Sequence, residues 1–286
     1  MFLLKLISRL PFPVLYAFSD FLFMLSYYLV RYRRKLVRKN LANSFPQLTE
    51  KERKRIEKSF YKNLSDYAVE TLKLLTISKA ELKGRMVYTN PELLDGYKQS
   101  NQSIILLSSH QFNWEWLLVS GNLWLPVPID FVYQPLHSKF VDNLMQTCRM
   151  RFGGHAIKRN EVARELVKRK NIVRGIAIVA DQYPGRKHDK RFETTFLNQH
   201  TAFFYGSQQM ANLTQYPVLY GSVKKIKRGH YTCTLIKVTD PPYAEGTETV
   251  IKNYSQLVEQ AILSDPAGWL WSHNRWKNRH IKKIES

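Results

Sequence analysis

The chain has 286 residues, of which 44% are hydrophobic and 13% aromatic; this is enough apolar surface for a packed core and excludes an intrinsically disordered protein. It carries 44 Lys and Arg against 23 Asp and Glu, a formal net charge of +21, so its surface attracts polyanions such as nucleic acid, anionic lipid headgroups or an acidic protein. Two cysteines, Cys148 and Cys233, exclude a disulfide framework and lack metal-ligand spacing. This cysteine usage favours a reducing compartment.

An apolar stretch over residues 13–30 comes first, and a basic run follows it. As a helix it would be about 27 Å long, barely the thickness of a bilayer core. Pro11 and Pro13 suit a helix start, whereas Asp20 argues against a plain transmembrane span. The order of apolar and basic residues is wrong for a signal peptide.

The sequence therefore predicts two parts: residues 1–39 as an N-terminal membrane-associated helix with a basic segment, and residues 40–286 as an α/β domain. A tilted anchor and an interfacial helix both remain open, with a soluble core helix as the alternative. Positive charge is concentrated from Arg31 to Lys62, beside the apolar stretch, which fits attraction to anionic lipid.

Further along, Thr49 to Glu52 reads as a capping box that opens a helix running to about Thr76. Apolar runs and amphipathic segments then alternate. Strands are predicted at 103–107, 129–133, 175–180, 216–223 and 231–238, and helices at 92–99, from 113, and at 138–152, 161–170 and 249–264. This alternation predicts an α/β fold with a mostly parallel central sheet flanked by helices. The continuous apolar run at 175–180 is typical of a parallel strand buried on both faces.

The most informative stretch runs from Leu106 to Glu115, because a histidine follows an apolar strand and a carboxylate follows the histidine. If the chain turns at His110 and enters a helix near Asn113, Glu115 returns towards the imidazole. A carboxylate on one ring nitrogen fixes the tautomer and leaves the other nitrogen as a general base for a hydroxyl. His110 and Glu115 are therefore the catalytic candidates for acyl transfer, with a structural hydrogen-bonded pair as the alternative.

Three other polar residues are candidates for substrate binding. Asp181 and Gln182 follow a buried strand as His110 does, and open α/β sheets place their sites at such strand ends. A structural role for Asp181, as a turn residue before Pro184, explains its position equally well. Arg149 is of the type that clamps phosphate, although most such cations are simply solvated.

Other chemistries find little support. Cys148 is better explained as a buried thiol than as a nucleophile, and Ser108 and Ser109 lack a Gly-x-Ser-x-Gly elbow. The chain contains neither Gly-x-Gly-x-x-Gly nor a Walker A run, which argues against dinucleotide and nucleoside triphosphate chemistry. The closing segment Trp269–Lys277 mixes aromatic and basic residues, a composition that serves either base stacking or an aromatic belt at a membrane.

Together these segments resemble the late acyltransferases of lipid A biosynthesis, the lauroyl/myristoyl transferase family of Gram-negative bacteria. The resemblance covers nearly the whole chain, in the family's order: Asn40–Pro46, His110–Glu115 as the His-x4-Asp/Glu signature, Tyr133–Leu136, Arg149, Asp181-Gln182, Phe203–Gly206 and Trp269–Lys277. Gln134 stands where the family usually has arginine, and residues 186–189 also depart from its pattern.

The resemblance implies a glycerolipid-acyltransferase-like fold, and a catalytic domain on the cytoplasmic side of the inner membrane. It implies acyl transfer from acyl carrier protein to a hydroxyl of a lipid A precursor, with His110 as general base assisted by Glu115. Arg149, Asp181 and Gln182 would complete the substrate site. The implied partners are the acidic carrier protein, an anionic phospholipid membrane and a phosphorylated glycolipid; no metal, cofactor or nucleic acid is expected.

Two other functions remain open from the sequence. The acceptor could be another membrane glycolipid or an amino-acid lipid. A basic membrane- or nucleic-acid-binding protein without enzymatic activity would use the charge clusters equally well, but it gives no reason for polar residues at two strand ends.

Overall fold

The computed structural model describes residues 2–185, 189–244 and 246–277. Its helices are α1 Phe2–Ser8, α2 Phe12–Met24, α3 Arg34–Ser44, α4 Glu50–Lys73, α5 Lys79–Arg85, α6 Asp95–Gln99, α7 Trp114–Trp124, α8 Lys139–Arg149, α9 Val162–Lys168, α10 Gly206–Thr214 and α11 Thr249–Ser264. Its strands are β1 Met86–Tyr88, β2 Ile104–Ser108, β3 Ile129–Tyr133, β4 His155–Lys158, β5 Gly175–Val179, β6 Arg191–Phe196, β7 Gln199–Phe204, β8 Val218–Lys227 and β9 His230–Thr239. A π-helical turn, Leu25–Leu29, extends α2.

The central sheet has the strand order β1-β9-β8-β2-β5-β3-β4. Every neighbouring pair is parallel except β8 and β9, which form an antiparallel hairpin. The predicted α/β fold with a mostly parallel sheet is confirmed. A separate antiparallel hairpin of β6 and β7 lies outside this sheet.

Two apolar layers cover the two faces of the sheet. On one face, Leu106 and Leu219 pack with Trp116 and Leu117 of α7. On the other face, a second cluster joins alternate residues of the same strands to helices α10 and α11. The chain leaves β2 towards α7, but it leaves the neighbouring strand β5 towards the β6–β7 hairpin and then α10 on the other face. Helices that depart to opposite faces open a crevice at the carboxyl ends of the two strands, which is where α/β sheets bind ligands.

The long helix α4 begins as predicted. Thr49 accepts a hydrogen bond from the backbone N–H of Glu52, and the Glu52 carboxylate accepts one from the backbone N–H of Thr49, so the capping box is complete. Helix α4 then carries the N-terminal helices: Tyr16 donates to Glu70 (2.9 Å) and Ser19 donates to Asp66 (2.7 Å). These contacts fix one face of α2 to the domain.

The opposite face of α2 is apolar and exposed, with Val14, Phe18, Phe21 and Met24 each between 47% and 58% accessible. Among the described residues one helical segment, Phe12–Leu29, is long and apolar enough to cross a membrane, with a mean hydropathy of 1.3. Core helices of soluble proteins share these properties, and 28% of this segment is buried. Residues 39 and 40, the predicted division between the two parts of the chain, lie inside α3.

Candidate active site

Strands β2 and β5 are parallel neighbours that end at the same level, with Ser108 opposite Val179. His110 and Asp181 therefore emerge side by side. Asp181 Oδ1 lies 2.6 Å from His110 Nδ1. Its other oxygen, Oδ2, accepts from the His110 backbone N–H (3.0 Å) and from the Trp269 indole N–H (2.7 Å). Three hydrogen bonds thus fix the Asp181 carboxylate, and one of them orients the imidazole.

The Asp181 carboxylate is charged even though it is buried. Burial opposes its ionisation, but the attraction of His110 and the hydrogen bonds from His110 and Trp269 outweigh burial and lower the pKa of Asp181 below its usual value. An ionised Asp181 makes Nδ1 the protonated nitrogen in the neutral ring. His110 Nε2 is then a hydrogen-bond acceptor, and it lies 3.2 Å from the side-chain amide nitrogen of Gln182.

Glu115 is hydrogen-bonded to Arg149, whereas the carboxylate at the His110 ring is that of Asp181; assistance of His110 by Glu115 stays a prediction. Glu115 lies in the first turn of α7, where its carboxylate receives two hydrogen bonds from Arg149, at 2.7 and 2.6 Å. Burial alone would lower the pKa of Arg149, but the Glu115 carboxylate outweighs it and the pKa of Arg149 is raised. Asp181, from the neighbouring strand, takes the place beside the imidazole because parallel strand ends lie closer than the next helix.

The turn that presents His110 is strained and tied down. Phe112 has a φ of 49°, in the left-handed region that bulky residues rarely adopt. Its N–H donates to the Gly268 carbonyl (2.8 Å), and a Cβ on Gly268 would lie 2.5 Å from the Phe112 ring. Glycine at 268 therefore lets the C-terminal segment lie directly against the turn.

The start of α7 is also anchored. Asn113 caps the helix by accepting from the Trp116 N–H (2.9 Å), as the predicted helix start near Asn113 requires. Its amide donates to Glu70 (2.8 Å), and the Trp116 indole donates to the Glu70 carbonyl (2.8 Å). Burial raises the pKa of Glu70 to about 7, against the effect of hydrogen bonds from Asn113 and Tyr231. These hydrogen bonds around Glu70 fix the first turn of α7 and therefore the position of Glu115.

A cavity of about 1280 Å³ opens beside His110 and Gln182. It straddles the edge of the sheet, because its lining includes Leu106 on one face and Leu107 on the other. We call the apolar lining on the α7 side of the sheet the α7-side arm and the apolar lining on the other side the α10-side arm. The first consists of Tyr88, Leu106, Leu117, Gly121, Leu125 and Ile129, and the second of Leu107, Val162, Leu166, Ile178, Met210 and Leu213. Arg149, His273 and Lys277 line the cavity as well.

The family model for bacterial lipid A biosynthesis acyltransferases matches residues 1–278 of this chain. The chain belongs to this family. It is 24% identical to a lipid A biosynthesis palmitoleoyltransferase of Escherichia coli K12 over 96% of this chain and 88% of that protein. It is similar to the same extent to a lipid A biosynthesis acyltransferase of Shigella flexneri, and 22% identical to a lipid A biosynthesis lauroyltransferase of Escherichia coli K12 over 96% of this chain and 89% of that one. The protein is thus an acyltransferase of the lipid A biosynthesis family, as its motifs suggested.

Sequence reasoning about this acyltransferase missed the role of the C-terminal tryptophans. Trp269 and Trp271 are 2% and 0% exposed, so neither base stacking nor a membrane belt uses them. Trp269 instead bonds Asp181, and Leu270 N–H donates to the His110 carbonyl (3.1 Å). The fully buried Arg275 bonds Thr201 and Ala202, and burial lowers its pKa to about 10. The family pattern Trp-x-His-x-Arg-x-Lys in this segment was the signal that pointed to the site.

Other nucleophiles and ligands can be placed too. Cys148 is buried as expected, and burial raises the pKa of its thiol to about 12. Ser108 donates to the Gly221 carbonyl and Ser109 bonds the Tyr220 hydroxyl, so both hydroxyls are engaged away from the imidazole. Within residues 2–185, 189–244 and 246–277, no group of three His, Cys, Asp or Glu side chains is arranged to hold a metal ion. That the reaction needs neither metal nor cofactor stays a prediction.

Proposed function

We propose that this acyltransferase moves a fatty acyl chain from the thioester of acyl carrier protein to a hydroxyl of a lipid A precursor, with His110 as general base. The observation that carries the proposal is the position of His110. Asp181 binds one ring nitrogen, and the other lies near Gln182 in the cavity that both apolar arms line.

The chemical step balances without an external reactant. The acceptor hydroxyl takes the place of the Gln182 amide at His110 Nε2 and gives its proton to that nitrogen. Its oxygen attacks the thioester carbonyl carbon, the carbon–sulfur bond breaks, and the thiolate takes the proton back from the imidazolium. Ester and free thiol are the products. Asp181 stabilises the imidazolium while the proton resides on the ring.

Glu115 and Arg149 have a different role in this scheme, that of binding the acceptor. The pair uses Nε and Nη2 of Arg149, while Nη1 takes no part in it. A guanidinium fixed in this way at a cavity wall suits an anionic group such as phosphate. Glu115 thus assists catalysis through Arg149, and not through His110 as the sequence suggested.

The N-terminal helices support association with an anionic phospholipid membrane. Lys58 and Lys62 of α4 lie over the rings of Tyr28 and Phe23, next to the exposed apolar face of α2. Apolar surface bordered by cations is the pattern of an interfacial membrane contact. We place the enzyme at the cytoplasmic side of the inner membrane, where an acidic carrier protein would meet a lipid acceptor.

A nucleic-acid-binding protein is a weaker explanation. Stacking on bases needs accessible aromatic rings beside cations, yet Trp269, Trp271 and Trp276 are all buried. The closing segment therefore offers no stacking surface for bases, and lipid and carrier protein account for the charge clusters as well.

Transfer of labelled acyl chains from acyl carrier protein to a tetra-acylated lipid A precursor tests the proposal. Wild-type enzyme should form product, and His110→Ala should lower kcat by at least about 10²-fold, the contribution of a positioned general base. His200→Ala is the matched control, because His200 is exposed on β7 and does not line the cavity. Wild-type turnover in folded His110→Ala would refute the mechanism. If wild-type enzyme formed no product with the lipid A precursor but did form product with a total membrane-lipid extract, the acceptor would be a different lipid.

A further inference from the structure

Glu70 is a buried carboxylate that contacts both the N-terminal helix α2 and the active-site helix α7. It belongs to α4 and is 0% exposed. Its Oε1 accepts a hydrogen bond from the Tyr16 hydroxyl of α2 (2.9 Å), and its Oε2 accepts one from the side-chain amide of Asn113, the residue that caps α7 (2.8 Å). The Tyr231 hydroxyl of β9 donates to both oxygens, at 3.1 and 2.9 Å. One side chain thus joins α2 to the first turn of α7.

An aromatic contact lies beside this link. The Phe12 ring of α2 meets the Trp116 ring of α7 edge-on, with the ring centroids 5.9 Å apart, and the Trp116 indole donates to the Glu70 carbonyl. Both rings are buried, 6% and 0% exposed. Because close-packed interiors have low compressibility, a movement of α2 against α4 reaches the start of α7 through these rings as well as through the carboxylate.

The two halves of the active site have separate anchors. His110 is held by Asp181 and by the C-terminal segment. Glu115 lies in the first turn of α7, whose capping residue is bonded to Glu70. A disturbance at Glu70 therefore reaches Glu115 and its partner Arg149, while the contacts that hold His110 stay in place.

We propose that Glu70 is a positioning residue that makes binding of the acceptor depend on how α2 is docked. The inference rests on the proposed function, in which Glu115 and Arg149 bind the phosphorylated acceptor. When α2 is seated on α4, its tyrosine hydroxyl and the cap of α7 bond the two oxygens of one carboxylate, and the first turn of α7 is fixed. Since the opposite face of α2 is the one that meets lipid in the proposed function, membrane contact and acceptor binding are coupled.

A reciprocal exchange of side chains tests the bond between Glu70 and Asn113. Glu70→Gln keeps one acceptor oxygen for the two tyrosines but turns an amide towards the amide of Asn113. Asn113→Asp turns a second carboxylate towards Glu70. In the double variant Glu70→Gln, Asn113→Asp, the amide at 70 donates to the carboxylate at 113, and the negative charge moves to a helix N-terminus, which favours it.

Steady-state kinetics with a tetra-acylated lipid A precursor measure the effect. Each single variant should raise KM for this acceptor about tenfold, the effect of losing one charge-assisted hydrogen bond, with little change in kcat. The double variant should return KM towards the wild-type value, because the bond between the two side chains is restored.

Tyr16→Phe tests the contact with α2, because it deletes the hydroxyl that α2 donates to Glu70. It should raise KM for the acceptor in the same way. Ser19→Ala is the matched control: Ser19 also lies on α2 and also donates to a carboxylate of α4 (2.7 Å), but that carboxylate, Asp66, has its ion pairs with the β8–β9 hairpin. Ser19→Ala should therefore keep the wild-type KM.

Hydrogen exchange at the backbone N–H of Trp116, which donates to the Asn113 cap, reports on the link without catalysis. Exchange should be faster in Tyr16→Phe, Glu70→Gln and Asn113→Asp than in wild type. The double variant and Ser19→Ala should exchange as slowly as wild type does.

Two kinetic results would overturn the inference while the proposed function survived. One is a wild-type KM for the acceptor in folded Tyr16→Phe, whatever its exchange rate. The other is a double variant that binds the acceptor no better than the single variants. Absence of wild-type transfer to any lipid A precursor would instead contradict the proposed function, and wild-type exchange at Trp116 in Tyr16→Phe would then show that the link to α2 does not exist.

Discussion

At the scale of single residues, the carboxylate that contacts the His110 ring is Asp181, although Glu115 stands at the spacing that the signature suggests. Local sequence could place His110 and Asp181 at one edge of the sheet, because each follows an apolar strand. It could not decide which carboxylate meets the imidazole. That choice depends on the register of β2 against β5 and on the Arg149 side chain, which binds Glu115 from a helix far along the chain.

Asp181→Asn should therefore slow the chemical step, and Glu115→Gln should weaken binding of the acceptor. The new amide donates to His110 Nδ1, which moves the ring proton to Nε2 and removes the base; kcat should fall by roughly 10³-fold or more with little change in KM. Glu115→Gln loosens Arg149 and should mainly raise KM for the phosphorylated acceptor. Steady-state kinetics on both variants, with melting curves to establish folding, separate the two roles.

The opposite pattern would restore the dyad predicted from the sequence. If Glu115→Gln lowered kcat at constant KM while Asp181→Asn retained wild-type kcat, Glu115 and not Asp181 would be the partner of the histidine during catalysis. The low pKa of Asp181 adds a further constraint: because the carboxylate stays ionised until the pH falls below its usual titration range, the acid limb of the activity profile should not follow Asp181.

At the scale of elements, segments with a clear apolar pattern were predictable and very short or mixed ones were not. The strand at 129–133 and the helix at 249–264 agree with the structure, since each shows such a pattern. Strands β1 and β4 and the hairpin of β6 and β7 were missed. Strands β1 and β4 have only three and four residues, and β6 and β7 mix polar with apolar residues.

Gly121 of α7 lies where it would limit the length of a donor chain if that chain occupied the α7-side arm. A Cβ at 121 would lie 3.3 Å from the Tyr88 hydroxyl and 3.4 Å from Ile129 Cγ1, and all three residues line this arm. A larger side chain at 121 would therefore take up space in the arm.

Gly121→Leu should shift the enzyme towards shorter donors. We expect kcat/KM for the longest donor accepted by wild type to fall at least about tenfold, the equivalent of about two methylene groups losing their site, while shorter donors keep their rates. Competition assays with a series of acyl carrier protein thioesters measure the profile. Gly84→Leu is the control, because a Cβ at Gly84 meets nothing within 4 Å. An unchanged chain-length profile in Gly121→Leu would place the donor chain elsewhere.

At the scale of the whole molecule, the way α2 joins the domain bears on how the enzyme meets the membrane. Arg228 binds both Asp20 of α2 (2.7 Å) and Asp66 of α4 (2.7 Å), and Ser19 also bonds Asp66. A helix crossing a bilayer away from the domain would strip these polar contacts and expose Asp20 to hydrocarbon, which is costly. We therefore propose that α2 lies in the membrane interface with its apolar face in the lipid.

Phe18 and Phe21 stand at the centre of that face, 47% and 55% exposed, with their rings stacked at 6.3 Å. The double substitution Phe18→Ser, Phe21→Ser should weaken binding to vesicles containing anionic phospholipid by about 10²-fold or more, since each buried Phe contributes about 1.5–3 kcal/mol. Leu263→Ser, at an equally exposed position on α11, should bind like wild type.

High salt or zwitterionic vesicles should reduce wild-type binding, because both weaken the attraction between the membrane and the cations around α2. Wild-type binding that resists both salt and alkaline extraction would show instead that the helix spans the bilayer, and unchanged binding of the double variant would mean that another surface meets the lipid.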